Sequence, residues 1–218
     1  MSMADYSLKL LKLRFLFVVL SVFLVLGTAF QVSGGFRANG PTEQLKPELD
    51  NLFAILLDKS MKGEEKKSER RSRIMETISS GFDFQEMSRR VLGKTWNRIT
   101  PEQQDYFVQQ MTKLLENVYI GKLEGYSGQT IEFVEERIKG SRAQVTTLIQ
   151  SEGGAIPIHY IMRETKGSWM VYDINIEGVS LIRNYMEQFK SIIRKEKYEG
   201  LIKVIEDKNR SFAEGNGS

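Results

Sequence analysis

Three stretches of the chain bring together side chains of the types that do chemistry. Gly125-Tyr126-Ser127-Gly128 is the nearest to a hydrolase elbow, but its second glycine is out of place. It also falls between a helical pattern and a strand pattern, not on the strand-to-helix turn that strains such a serine into reach. His159 is the single histidine, and it sits in mid-strand with no carboxylate in a motif-like relation to it. It reads as a core or surface residue. The adjacent carboxylates Glu135-Glu136 point to opposite sides of a strand, and Glu64-Glu65 lie in a charge cluster, so neither pair reads as an acid and its base. One histidine and zero cysteines leave no histidine-based zinc site and no thiolate-held metal. Ser33-Gly34-Gly35 reads as leader and Gly153-Gly154 as a hairpin turn, so no glycine loop cradles a phosphate. The sequence therefore asks for no cofactor and presents no catalyst. A small exported α+β hydrolase or isomerase with an apolar substrate pocket stays open as the alternative reading.

At 218 residues the chain suits one domain with extensions. A formal charge of +3, evenly mixed along the chain, argues against a nucleic-acid partner. Lys9, Lys12 and Arg14 precede Phe15 to Phe30, sixteen residues without charge, and Gly27-Thr28-Ala29 offers small residues for cleavage. That order is a signal peptide over residues 1–29 and implies export. An uncleaved anchor is the competing reading, although sixteen residues fall short of the roughly 20 that a spanning helix needs. Cleavage leaves 28 basic against 27 acidic side chains. Residues 30–41 read as a flexible leader, 42–207 as the folded domain and 208–218 as a disordered tail.

The elements around which the domain forms are a strand and a helix joined at a corner, Trp169 to Leu201. Met170, Tyr172, Ile174 and Ile176 alternate with Trp169, Val171 and Asp173; after Glu177-Gly178 the period changes to that of a helix carrying Leu181, Ile182, Tyr185, Phe189, Ile192 and Ile193. Upstream, Leu45, Leu49, Leu52, Phe53 and Leu56 make one stripe of a helix from about Thr42 to Lys59, with Pro47 near its start. A mixed-charge run from Met61 to Arg73 reads as a solvated helix face or connector. Phe82-Asp83-Phe84 opens a short helix ending near Gly93. Thr100-Pro101-Glu102-Gln103 starts a long one reaching about Leu123. Four strands follow, Thr130–Ile138, Arg142–Ser151, Ala155–Glu164 and Ser168–Ile176, with short glycine-bearing connections that make an antiparallel meander. A last amphipathic segment carries Tyr198, Leu201, Ile202 and Ile205.

The third and fourth strands are apolar on both sides, unlike a sheet with one wet face. Helices on both faces account for this without any ligand, and periodicity alone favours that reading. The other reading is an apolar cavity lined by soft methionine and aromatic side chains.

Phe82-Asp83-Phe84, Met87, Arg90-Val91-Leu92-Gly93, Trp96, Thr100-Pro101-Glu102-Gln103, Phe107, Leu114-Leu115 and Tyr119 resemble the MlaC / toluene-tolerance (Ttg2D-like) family of periplasmic phospholipid-binding proteins. The likeness continues in Val171-Tyr172-Asp173-Ile174, Glu177-Gly178-Val179-Ser180-Leu181, Asn184-Tyr185, Gln188-Phe189 and Glu199-Gly200-Leu201. It spans about Leu45 to Ile205, and residues 60–73 depart from it by carrying more charge. The resemblance implies an α+β fold, a four-stranded antiparallel sheet packed with several helices around an apolar lipid-binding cavity. It implies a non-catalytic, monomeric carrier in the periplasm. Such a carrier moves phospholipid between an inner-membrane ABC transporter complex, through its substrate-capture subunit, and an outer-membrane lipoprotein complex. Carried over by position, the lipid-binding residues are Val91, Leu92, Trp96, Phe107, Met111, Leu115, Tyr119, Tyr160, Met162, Tyr172, Ile174, Val179, Leu181 and Tyr185.

Overall fold

The computed structural model describes residues 39–151 and 154–215; the expected signal peptide and most of the leader lie outside them. Helix α1 (Pro41–Leu57) begins without a side-chain cap of its own. Glu136 supplies the missing acceptor from the sheet, taking the Thr42 N–H at 2.8 Å. Pro47 lies inside this helix and is tolerated there, because Leu45, Leu49, Leu52 and Leu56 bury a continuous stripe. The charged run follows as two short 3₁₀ turns and then α2 (Lys67–Gly81), whose ion pairs fall mostly at i,i+3 and i,i+4 on a solvated face. Asp83 caps α3 (Phe84–Leu92) by accepting from the Glu86 N–H. Trp96 sits in the 3₁₀ turn Gly93–Arg98. The capping box read from Thr100 and Gln103 is formed, and α4 (Pro101–Glu124) is the helix it launches.

The sheet is an antiparallel meander of β1 (Ile131–Lys139), β2 (Arg142–Ser151), β3 (Gly154–Thr165), β4 (Ser168–Ile176) and β5 (Val179–Ser180), in that spatial order. It has five strands, not four. Glu177 and Gly178 both take positive φ, 51° and 84°, the signature of a two-residue hairpin turn, so the chain folds back before the last helix and pairs Val179 with Ile176.

The strict alternation expected of β4 also fails, for a local reason. The register with β3 slips by one residue after Ile161–Asp173, so that Met162 faces Val171 and Tyr172 is the extra residue of a bulge. Ile174 and Val171 consequently share a face with Tyr160 and Met162, whereas Tyr172 turns the other way.

The final helix, α5 (Leu181–Ala213), contains one residue that is not helical. Lys197 has φ 63° and ψ −163°, which breaks the element into an arm up to Glu196 and an arm from Tyr198. The second arm runs past the expected tail boundary at Lys208. Asn209 is buried and donates to the Gln110 carbonyl at 3.0 Å, and Phe212 packs on the core, so the helix has reason to persist to Ala213. The break brings Gly200 against its own chain. A Cβ added there would lie 2.2 Å from the Glu196 Cβ.

Gly200→Ala is expected to destabilise the domain by about 1–3 kcal/mol through this clash. Lys197→Gly is expected to stabilise it by about 1 kcal/mol by releasing left-handed strain. Urea midpoints of the two variants check both signs; a Gly200→Ala variant as stable as the parent would mean an unbroken helix.

Candidate functional site

The apolar side chains gather into two clusters with β4 between them. The first is helical: Met87, Val91 and Leu92 of α3, Trp96, and Phe107, Met111, Leu114 and Leu115 of α4 meet both arms of α5 and, from the sheet, the buried Tyr172 with the part-buried Ile161. The second joins the leucine stripe of α1 and Ile74 of α2 to Ala143, Val145, Tyr160, Met162, Trp169 and Val171 of the sheet. Helices thus lie against both sides of β4, as the periodicity reading anticipates.

Ten of the fourteen residues expected to bind lipid converge on the first cluster. Val91, Leu92, Trp96, Phe107, Met111, Leu115, Tyr172 and Tyr185 are buried in it, and Tyr119 and Leu181 pack against it. Tyr160 and Met162 are buried in the second cluster, with Ile174 against it, on the opposite side of the sheet. Val179 is 61% exposed at the β4–β5 hairpin and belongs to neither. Residues that the sequence reading left out complete the first cluster, notably Met87, Phe189, Leu201 and Ile205. Phe189, Leu201 and Ile205 stand at helical spacing from Tyr185 and Tyr198, and Met87 from Val91. The apolar interior is a closed layer of side chains; Phe107, Met111 and Leu201 are at most 1% exposed. Two clefts of about 410 and 540 Å³ open instead along α2, lined by polar groups such as Arg73, Glu76 and Ser80, and Arg71, Ser72 and Glu116. None of the fourteen residues lines either cleft.

The first cluster holds few polar atoms, and each tyrosine marks one. Tyr198 donates its hydroxyl to the Gln103 carbonyl at 2.7 Å, and burial beside Glu199 pushes its phenol up to about 12. Tyr119 and Tyr185 share a hydrogen bond, and burial raises both phenols above the ordinary value, Tyr185 well above it. Tyr172 carries the guanidinium of Arg90 over its ring, 3.9 Å from the centroid.

That arginine belongs to a charged knot at the cluster's border. Glu86 is only 3% exposed. It accepts from Arg89 Nε at 2.6 Å, Arg89 Nη2 at 2.7 Å and Arg90 Nε at 2.8 Å. Arg163 of β3 reaches it at 3.4 Å and donates to Asp83 at 2.9 Å. Asp83 in turn takes part in the join to the sheet, its N–H donating to the Val171 carbonyl. Burial pushes the Glu86 carboxyl up, but the bond from Arg89 and the charges of Arg163, Arg89 and Arg90 outweigh it and hold the group below its ordinary 4.5. Sequence reasoning missed this knot because Arg163 comes to it from another element; the local half, Glu86 with Arg89 and Arg90 at helical spacing, was visible.

The residues first considered for catalysis do not assemble. Ser127 hydrogen-bonds within its own loop, to Gln129. His159 Nδ1 meets Thr146 Oγ1 at 3.0 Å and Gln144 Nε2 at 3.3 Å. Among the described residues no three acidic or histidine side chains group closely enough to hold a metal ion.

A meander sheet with a packed helical layer and a corner helix defines a known class of α+β domain, and its solved relatives can be compared with it. The fold matches that of a phospholipid-binding protein from Ralstonia solanacearum, solved in complex with a phospholipid, with a TM-score of 0.72 at 24% identity. That match covers 79% of this chain and 98% of the other. The profile of the MlaC protein family matches residues 47–207. The chain belongs to the MlaC family. Among its relatives is the intermembrane phospholipid transport system binding protein MlaC of Haemophilus influenzae, 25% identical over 190 residues, which are 84% of this chain and 86% of that one. Another is the toluene tolerance protein ttg2D of Pseudomonas putida, 24% identical over 175 residues, 79% of this chain and 72% of that one.

Glu86→Gln tests the knot. It is expected to lower stability at neutral pH by about 3 kcal/mol, the low end of the cost of breaking a buried pair, because the arginines are part-exposed. A carboxyl held below its ordinary value contributes fully above that value, and the contribution is lost as pH falls through the lower folded value. Urea unfolding at a series of pH values should show a constant gap between parent and variant above about pH 5 that closes on further acidification. A gap that widens in acid contradicts the arrangement.

Proposed function

We propose that this chain is a non-catalytic phospholipid carrier of the periplasm, receiving lipid from or delivering it to an inner-membrane ABC transporter complex and an outer-membrane lipoprotein complex. Residues 1–29 are its export signal in this reading. Membership of the MlaC family supports it, as do relatives named for phospholipid transport and a fold shared with a protein solved around a phospholipid. The observation that carries it is the composition of the helical cluster. Two methionines, Trp96, Phe107, Phe189 and several tyrosines lie between helices that meet the sheet's main hydrogen-bonded surface chiefly through Tyr172 and Ile161. Soft and flat side chains of this kind move apart and repack more easily than branched aliphatics.

The energetics suit the task. Two acyl chains carry about 30 methylenes, and at roughly 0.8 kcal/mol each their exposure to water costs on the order of 20 kcal/mol. A carrier has to approach the bilayer in apolarity, since a poorer site never loads and a much better one never unloads. Lipid tails entering the closed layer displace side chain from side chain, so hydrocarbon contact is exchanged and little of it is lost. Ten of the expected lipid-binding residues surround that layer, and we assign them to it; Tyr160, Met162 and Ile174 serve the α1 side, and Val179 serves the rim.

Protein purified from cells and extracted with organic solvent is expected to yield diacyl phospholipid in near-stoichiometric amount by mass spectrometry. Leu115→Glu places a charge in the layer and is expected to empty it. A folded Leu115→Glu protein, verified by circular dichroism, that still carries the parental amount of lipid would show the tails to lie elsewhere.

A further inference from the structure

Resting on the phospholipid reading above, we infer that Arg90, backed by Arg89 and Arg163, is an anion seat that takes the phosphodiester of the bound lipid. The argument begins with charge. Three guanidinium groups face two carboxylates, Asp83 and Glu86, so the knot retains a single positive charge. The carboxylates are spent on it. One Glu86 oxygen accepts from Arg89 and Arg90, the other from Arg89 with Arg163 close by, and the Asp83 oxygens accept from Arg163 and from the Glu86 N–H.

Arg163 Nε is also without a partner but is buried, and Arg90 is the member with both terminal nitrogens to spare at the border. Its Nε is committed to Glu86, and among the described residues its two terminal nitrogens enter no hydrogen bond. Its side chain is 30% exposed, so those nitrogens reach water. The guanidinium is nevertheless fixed in place, by Glu86 at one edge and by the Tyr172 ring beneath it. A planar fork held still with its donors outward is the geometry that recognises two oxygens of one phosphate, and the ordering cost is met before the ligand arrives.

Its position adds a second constraint. Tyr172 is the bulge residue that β4 turns into the helical apolar cluster, and Arg90 covers its other face at the solvent border. Water lies on one side of the guanidinium and hydrocarbon on the other. A phospholipid has the same boundary between its phosphate and its tails. A lone structural ion pair would need only one arginine for Glu86; here the buried carboxylate holds the fork of Arg90 at that border.

The test uses the purified full-length mature chain, stripped of lipid, and two short-chain probes: dihexanoyl phosphatidylglycerol and dihexanoylglycerol, identical in tails and differing in the phosphate-bearing headgroup. Binding is followed by tryptophan fluorescence or calorimetry for the parent, Arg90→Gln and Arg90→Lys. The parent is expected to favour the phosphate-bearing probe by about tenfold or more, the worth of a charge-assisted pair. Arg90→Gln is expected to remove most of that ratio, and Arg90→Lys, which keeps charge without the fork, to restore part of it. Inorganic phosphate forms a separate arm. Displacement of the phosphatidylglycerol probe by millimolar phosphate marks a seat for phosphate in general, and a retained ratio without displacement marks a seat for phosphate borne on lipid. A ratio equal in the parent and in both variants, at melting temperatures that confirm folding, overturns the inference. Should Arg90→Gln fail to fold, an unreduced ratio in Arg90→Lys overturns it alone. A parent that binds neither probe counts against the phospholipid reading itself.

Discussion

A strand has two faces, and β4 has to feed a different apolar layer from each. Regular alternation would send Val171 and Ile174 to opposite sides; the bulge at Tyr172 sends both toward α1 and releases the tyrosine alone toward the helices. The consequence is a helical layer that touches the sheet at very few side chains while α1 and α2 cover the other face tightly. Packing of this kind separates what must stay folded from what can yield. The α1 side supplies a conventional core, with Ile74, Val145 and Val171 fully buried. The helical side is richer in aromatic and sulfur-bearing groups, whose contacts are many and individually weak.

Charge follows the same division. The Glu86 knot stands where α3 meets β3 and β4, so it fastens the helical layer at its edge without entering it. Buried charge is a poor source of net stability, but it fixes orientation well, because an arginine fork fits a carboxylate in few ways. Asp173 plays a smaller part of the same kind at the start of α5, accepting from the Ser180 hydroxyl and the Ile182 N–H. Polar groups thus hold the borders, and the directional bonds inside the layer are chiefly those of its tyrosines and of Asn209.

Much of this was legible in the sequence, and the exceptions have physical causes. The capping box at Thr100, the meander and the amphipathic faces of α1 and α4 are local patterns, set by residues within a turn or two of one another, and each is where the spacing puts it. The fifth strand escaped notice because two residues are too few to show a period. Alternation alone puts Tyr172 on the face of Ile174, because a bulge leaves no trace in a pattern of twos. The tail expected from Lys208 is too long, since Asn209 looks like a surface residue until Gln110 is beside it. Of the residues expected to bind lipid, those on α3, α4 and the start of α5 share one apolar cluster. Tyr160, Met162 and Ile174 join them through the family resemblance, which carries residues over by position and does not report against which neighbour a buried side chain packs.

The interruption at Lys197 sorts the last helix by allegiance. Its earlier arm is tethered to the sheet, through Asp173 and the hairpin that precedes it, and meets α4 at the Tyr119–Tyr185 hydrogen bond. Its later arm is bolted to α4, by Tyr198 on the Gln103 carbonyl, Tyr106 on Glu206 and Asn209 on the Gln110 carbonyl. An uninterrupted rod would weld those two bodies together along some 50 Å. With Lys197 out of the helical run, that length is divided into two arms, each aligned by its own partners and neither held to the axis of the other.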